Sequence, residues 1–264
     1  MFNSSNPLRV VTLCSGYDSQ CMALERLKKY QPDFAFDLVA WSEIDANAIK
    51  AHNACFPQWA ERNLGDMTKI DWSKVPDFDL LTYSTPCTDI SQSGLQKGIE
   101  EGSGTRSSIL WYTRNAIIEK RPKYLLMENV KALVSKKFLP FFHKWQSELV
   151  KYGYDTYSAV LDASDYGVPQ HRERIFMVSI RRDNEDTHYQ FPNTIPLEKR
   201  LKDVLEEDVD EKYYLSDKMV EYFMKVSAEK RHNHKFKSLL PEETAFTFTT
   251  EVGQRVDDNF VKDE

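Results

Sequence analysis

The residue types with the most chemistry to offer lie just after apolar runs. Pro86-Cys87 follows the run FDLLTY and opens the stretch STPCTDISQSGLQKG, rich in Ser, Gly and Thr. A thiol in a polar loop can be reached by a substrate, and it becomes a nucleophile where nearby positive charge favours the thiolate. Arg172 and Arg174, in QHRER, are candidates for that charge. Two Arg at i and i+2 ahead of a strand can point to one side and clamp an oxygen or a phosphate. A salt-bridged strand edge with Glu173 is the plainer alternative. Glu128-Asn129 closes the run YLLM. A carboxyl group kept partly dry there can stay protonated or share a proton with a ring nitrogen, whereas a strand-end Glu can also be purely structural.

The turn after RVVTL reads CSGYDS. A dinucleotide fingerprint needs GxGxxG so that backbone can approach a pyrophosphate. Here Gly16 stands alone and Asp18 adds negative charge where phosphate would sit, which disfavours NAD or FAD. A ligand without phosphates that carries a cationic centre meets no such penalty. Glu43 follows the second apolar run, where an acid can accept hydrogen bonds from ribose hydroxyls. Asp66, in LGDMT, holds a comparable third position. Cys21 and Cys55 fall in helical patterns and read as core. His232 and His234 lack a matching Cys/His set, so no metal site is expected.

These positions need elements to hold them. Short β-branched or apolar runs at 9–13, 36–41, 78–83, 124–127, 156–161 and 174–180 read as strands. Between them lie helical patterns: QCMALERLKKY through Met22, Ala23, Leu27 and Tyr30, then ANAIKAHNACF, then Ser107 to Lys120, then Leu139–Tyr152 with Gly153 as its stop. Alternating strands and helices predict an α/β, doubly wound, mostly parallel sheet. Ligands bind outside the carboxyl ends of strands in such sheets. After about residue 182 the alternation gives way to short mixed segments, and YYLSDKMVEYFM reads as core.

The 264 residues are 41% hydrophobic and 29% charged, a globular composition. No run approaches the roughly 18 apolar residues of a membrane span, and the N-terminus has no secretory pattern. Four Cys with no CxxC pair argue against a disulfide scaffold or a zinc ribbon and for a reduced compartment. The net charge of −6 resides in residues 181–264, with 14 Lys+Arg against 20 Asp+Glu, while residues 1–180 carry 21 of each. This excludes a uniformly basic nucleic-acid coat but not a local positive cleft.

Taken in order, these loops resemble the motifs of the cytosine-C5 DNA methyltransferases. LCSGYDSQ resembles the first motif, and WSEID with GDMT the cofactor-adenosine positions. STPCTDISQSGLQKG resembles the Pro-Cys motif, EGSGTRSSIL the helix after it, MENVKAL the Glu-Asn-Val motif and DYGVPQHRERIFMVSI the Gln-x-Arg-x-Arg motif. The match covers about residues 9–182 and implies a Rossmann-like S-adenosylmethionine-dependent methyltransferase fold. It implies that Cys87 attacks C6 of cytosine while Glu128 grips N3 and Arg174, assisted by Arg172, holds O2. It further implies that Cys14, Ser15, Gly16, Tyr17, Asp18 and Ser19 hold the methionine end of S-adenosylmethionine. Glu43 would take the ribose hydroxyls, Ile44 would pack on the adenine and Asp66 would read its amino group, with Met67 and Pro86 also lining that pocket. The products would be C5-methylated DNA and S-adenosylhomocysteine. A duplex cytosine would first be flipped out of the stack, and a loop at about Thr88–Ser103 would close over it.

The chain departs from the family pattern at several points. Asp18 and Ser19 stand where glycine is usual, Cys14 where an aromatic is usual and Thr88 where Gln is usual. A Gly-Asn-Ser-like motif that completes the family's cofactor pocket is not found before Glu264. Residues 1–182 are therefore expected to be the catalytic and cofactor-binding domain, and residues 183–264 a partial or reduced target-recognition region. The leading expectation is a DNA cytosine-5 methyltransferase of a bacterial or phage restriction-modification system, acting in the bacterial or host cytoplasm. A tRNA cytosine-C5 methyltransferase is the second reading. The third is a non-catalytic subunit or half of a split enzyme, needing a second polypeptide that carries the missing motif.

Overall fold

The first strand, β1 (Leu8–Leu13), is buried along nearly its whole length, as its β-branched composition predicts for the middle of a two-sided sheet. The computed structural model describes residues 2–86, 101–185, 187–228, 238–240, 243–248 and 259–261. They fall into two units, one of Met1–Val160 with Arg174–Phe191 and one of Leu161–Glu173 with Pro192–Glu264.

In the first unit, β1 is followed by α1 (Ser19–Leu27), β2 (Phe36–Ser42), α2 (Ala46–Cys55), β3 (Leu80–Tyr83), α3 (Thr113–Lys120), β4 (Tyr124–Val130) and α4 (Leu139–Lys151). Then come β5 (Tyr154–Asp162) and β6 (Glu173–Arg181). The sheet order is β2-β1-β3-β4-β6-β5. The first four strands pair in parallel, and β6 runs antiparallel to β4. The chain therefore forms the expected α/β sheet, with one reversed strand inserted beside β4. Val11, Leu13, Leu81, Leu125, Met127 and Met177 build its main core with Trp145 and Leu149 of α4. Those two residues follow Phe142 at helical spacing, and Gly153 (φ 93°) turns the chain after the helix.

Several expectations are corrected. The Ser107–Lys120 segment is a 3-10 stretch over Arg106–Tyr112 before α3 begins. Ser108 Oγ donates to the Thr105 carbonyl at 2.7 Å, a local bond that competes with regular helix. Glu128 and Asn129 lie inside β4 rather than beyond it. In α1 the buried residue is Cys21, while Met22 and Tyr30 are exposed. Cys55 is exposed at the end of α2 rather than in the core.

The second unit contains α5 (Asp217–Ala228) and a short parallel pair, Ser238–Leu239 with Phe260–Val261. Here YYLSDKMVEYFM is mostly surface: Tyr213, Tyr214, Met219, Tyr222 and Met224 are exposed, and Phe223 is buried. The aromatic pattern could not say which side would be covered. A cleft of about 380 Å³ is lined by Asp162, His171, Glu173, Phe246 and Thr247. Among the described residues no helix is long and apolar enough to cross a membrane. His232 and His234 lie outside the described residues, as does Cys87 with most of the Thr88–Ser103 loop.

Candidate active site

At the carboxyl end of β1 the chain turns through three left-handed residues, Cys14 (φ 52°), Gly16 (φ 59°) and Asp18 (φ 66°). An L residue pays for this conformation, and Asp pays less because its short side chain can bond locally. Asp18 does so as the N-cap of α1, accepting from the Cys21 backbone N–H at 3.1 Å and from Thr12 Oγ1 at 2.7 Å. His52 Nε2 of α2 lies 3.7 Å from Oδ2, the oxygen that also accepts from Thr12, with the His52 ring stacked on Trp41 at 3.6 Å. All of this is buried. The charge that disfavours a phosphate is thus spent on shaping the turn from beneath. Ser19 and Tyr17 are exposed, and Ser15 Oγ is buried with no hydrogen-bond partner among the described residues.

Glu43 follows β2 and locks onto the same turn. Its Oε2 accepts from the Gly16 N–H at 2.9 Å, and its Oε1 from the Ile44 and Asp45 N–H groups at 2.7 and 2.9 Å. Oε1 thus has two donors, whereas Oε2 has one and retains acceptor capacity for a further donor. The Ile44 side chain stands 72% exposed beside it, an apolar surface with no packing duty. Asp66 caps the turn Met67–Lys69, accepting from Thr68 N and Oγ1 at 3.0 and 2.8 Å, which holds its carboxyl below the usual range. Cys14 Sγ lies 3.4 Å from Met67 Sδ. Burial, helped by the Glu43 and Asp66 carboxylates, pushes the Cys14 thiol up to about 12. The three loops suspected of cofactor chemistry therefore converge.

Asn63 joins two of them and was not singled out in the sequence. Its Oδ1 accepts from Glu43 N and Gly65 N at 3.2 and 2.9 Å, and its Nδ2 donates to the Glu43 carbonyl at 3.1 Å. An Asn two residues before a Gly turn was the available signal.

The register Tyr83↔Met127 sets Ser84 abreast of Glu128. Alternation in β4 turns Leu125, Met127 and Asn129 inward and leaves Glu128 on the partly open face. Across the antiparallel pair, Val130↔Arg174 and Glu128↔Phe176 make Arg174 the diagonal neighbour of Glu128. Arg174 Nε meets Glu128 Oε1 at 3.2 Å, and Ser84 Oγ donates to Oε2 at 2.9 Å. Asn129 Nδ2 donates to the Thr85 carbonyl at 3.0 Å, and Ser107 Oγ to the Pro86 carbonyl at 2.8 Å. The backbone leading into Cys87 is thus tied at two successive carbonyls.

Arg172 precedes β6 and belongs to the second unit. Its N–H donates to Asp162 Oδ1 at 2.9 Å and its Nη1 to the Phe248 carbonyl at 3.5 Å.

Comparison with known proteins places this arrangement. Residues 8–259 match the family model of the C-5 cytosine-specific DNA methylases. The type II methyltransferase M2.ScrFI of Lactococcus lactis subsp. cremoris is 48% identical over 159 residues, 60% of this chain and 44% of that protein. The orphan methyltransferase M.SPRI of Bacillus phage SPR is 32% identical over 254 residues, 86% of this chain and 56% of that protein. The chain spans about half the length of these curated relatives. Among solved structures, the Entamoeba histolytica methyltransferase EhMeth superposes with a TM-score of 0.74 at 18% identity, over 95% of this chain and 73% of that one. That likeness concerns the fold. With the family model spanning nearly the whole sequence, the chain belongs to the C-5 cytosine-specific DNA methylase family.

Proposed function

We propose that this chain transfers a methyl group from S-adenosylmethionine to C5 of cytosine in duplex DNA, in a bacterial or phage modification system. The observation that carries the reading is the Glu128 carboxyl, held by Arg174 on one oxygen and Ser84 on the other, one residue beyond the Tyr83↔Met127 pair that closes the β3–β4 register and just ahead of Pro86 and, in sequence, Cys87. A carboxyl fixed in its plane can donate its proton to N3 of the cytosine as the thiolate attacks, which takes up the negative charge of the addition. Cys87 thus adds to C6, and the ring electrons move to make C5 nucleophilic. After methyl transfer the C5 proton leaves to a base, and the electron pair of that C–H bond expels the Cys87 thiolate. Arg174 is the donor for O2, with Arg172 assisting.

The residues present fit the cofactor. Glu43 and Asp66 are anionic acceptors suited to ribose hydroxyls and an adenine amino group. Exposed Ile44 offers an apolar contact, and the Ser15 hydroxyl has no hydrogen-bond partner among the described residues. No phosphate-binding backbone cradle is required. S-adenosylmethionine supplies an electrophilic methyl on a sulfonium. Cys14, Gly16, Tyr17, Asp18, Ser19, Met67 and Pro86 complete the proposed pocket. Residues 1–182 are assigned as the catalytic and cofactor domain, and residues 183–264 as a partial recognition region. The flipped base, and a second polypeptide that completes the pocket, belong to the same proposal.

The test offers tritiated-methyl S-adenosylmethionine with duplex plasmid DNA in one arm and tRNA in the other, followed by bisulfite sequencing. Incorporation is expected in DNA, and Cys87→Ala should abolish it. Label in tRNA alone would move the substrate to RNA, and undiminished transfer by Cys87→Ala would remove the mechanism.

A further inference from the structure

Four side chains form a directed hydrogen-bond chain from the turn at the start of α1 to the Glu128 carboxyl. Ser19 Oγ donates to Gln20 Oε1 at 3.2 Å, Gln20 Nε2 donates to Ser84 Oγ at 3.2 Å, and Ser84 Oγ donates to Glu128 Oε2 at 2.9 Å. The polarity follows from the groups themselves. Ser84 has a single hydroxyl proton, and it is directed at Glu128 Oε2. The Ser84 oxygen then has only lone pairs to offer, and the Gln20 amide must present its N–H side. That leaves Gln20 Oε1 to accept from Ser19.

We propose that Ser84 and Gln20 are positioning residues for Glu128, and that through them the turn carrying Ser19 is mechanically coupled to the carboxyl that grips the base. The proposal rests on the reading of Glu128 and of that turn given above. Ser84, just after β3, and Arg174, in β6, hold different oxygens, so the carboxyl plane is set before any ligand arrives. Without Gln20, the Ser84 hydroxyl can swing away from Glu128. Without Ser84, Oε2 is left to water and the plane is free to rotate. Helix α1 begins at Ser19, so a ligand that tightens the turn pulls on the first link.

Two readouts separate this relay from ordinary packing. The first is the 15N side-chain amide signal of Gln20 in the full chain, and it needs no activity. Glu128→Gln should move that signal in the wild-type background and leave it unmoved in Ser84→Ala. The same response in both backgrounds, or none in either, overturns the relay. The second is a double-variant cycle in the methylation assay. Ser84→Ala should lower kcat about tenfold with the S-adenosylmethionine Kd unchanged within twofold, and Ser84→Thr should recover most of the loss. Gln20→Met should cost about threefold alone and nothing further in Ser84→Ala. Multiplying effects, or an unchanged kcat in Ser84→Ala, would overturn the proposal. A wild-type chain that transfers no methyl to any substrate would count against the functional reading, while the amide signal would still decide the relay.

Discussion

Asp18 sits in left-handed backbone (φ 66°, ψ 62°) while wholly buried, and groups from three elements, β1, α1 and α2, converge on its carboxyl. Its replacement separates the backbone cost from the side-chain contacts. Asp18→Ala keeps the Cβ in the left-handed region, where an unassisted L residue costs about 1 kcal/mol or more. It also loses the cap on Cys21 N, worth about 1 kcal/mol. It leaves the Thr12 hydroxyl buried without an acceptor, at about 1–3 kcal/mol. The total is about 4 kcal/mol, a large share of the stability of an ordinary domain. Asp18→Gly removes the backbone strain and loses little as a cap, so only the Thr12 hydroxyl and its neighbours suffer, at about 2 kcal/mol. Asp18→Asn tolerates the conformation and keeps one oxygen for the Cys21 N–H, while its Nδ2 faces the Thr12 hydroxyl as a donor, for a loss of about 1 kcal/mol. Urea titrations followed by tryptophan fluorescence would rank the variants Asn above Gly above Ala. An alanine variant as stable as the glycine variant would refute the reasoning, because the strain and the cap would then have no measurable weight.

Arg174→Lys keeps the charge but loses the planar fork that meets Glu128, so methylation should fall about 100-fold with cofactor affinity unchanged; equal rates in both enzymes would contradict the role of Arg174. With its thiol pushed up to about 12 by burial, Cys14 is about one part in ten thousand thiolate at pH 8. Iodoacetamide followed by peptide mapping should therefore mark exposed Cys55 and spare Cys14. Burial alone would raise the Asp79 carboxyl, but hydrogen bonds from Arg9, with Lys123 nearby, outweigh it and leave it below its ordinary value. A carboxyl lowered by folding stabilises above the unfolded value near 4 and loses that contribution as pH falls. Asp79→Asn should thus cost about 1 kcal/mol at pH 7, with the difference shrinking toward pH 3 in urea titrations at each pH.

The strands of the first unit were legible because a buried strand of a parallel sheet is a short apolar run with polar residues at its end. Glu43 and Pro86 could be placed from that alone, whereas Glu128 lies inside β4 rather than beyond it. Reversal of β6 was not legible, since periodicity carries no strand direction. Nor was the contact of Asp18 with His52, because α2 is brought to that carboxyl only by tertiary packing, whereas the bond to Cys21 N is a local helix cap. Ser84 and Gln20 are polar residues of ordinary kinds, and their role depends on the β3–β4 register and the placement of α1. Cys55 and the Tyr222 face of α5 show the limit in the other direction. Helical spacing marks a face without saying whether anything covers it.

The central claim is that the Cys87 sulfur bonds to a cytosine ring carbon. The direct measurement uses duplex DNA in which cytosine is replaced by 5-fluorocytosine, where fluorine cannot leave as the C5 proton does and the adduct persists. With S-adenosylmethionine present, a denaturant-resistant complex should form, mass spectrometry should map the added nucleotide to Cys87, and Cys87→Ala should give none. An adduct on another residue, or one formed equally by Cys87→Ala, would contradict the account.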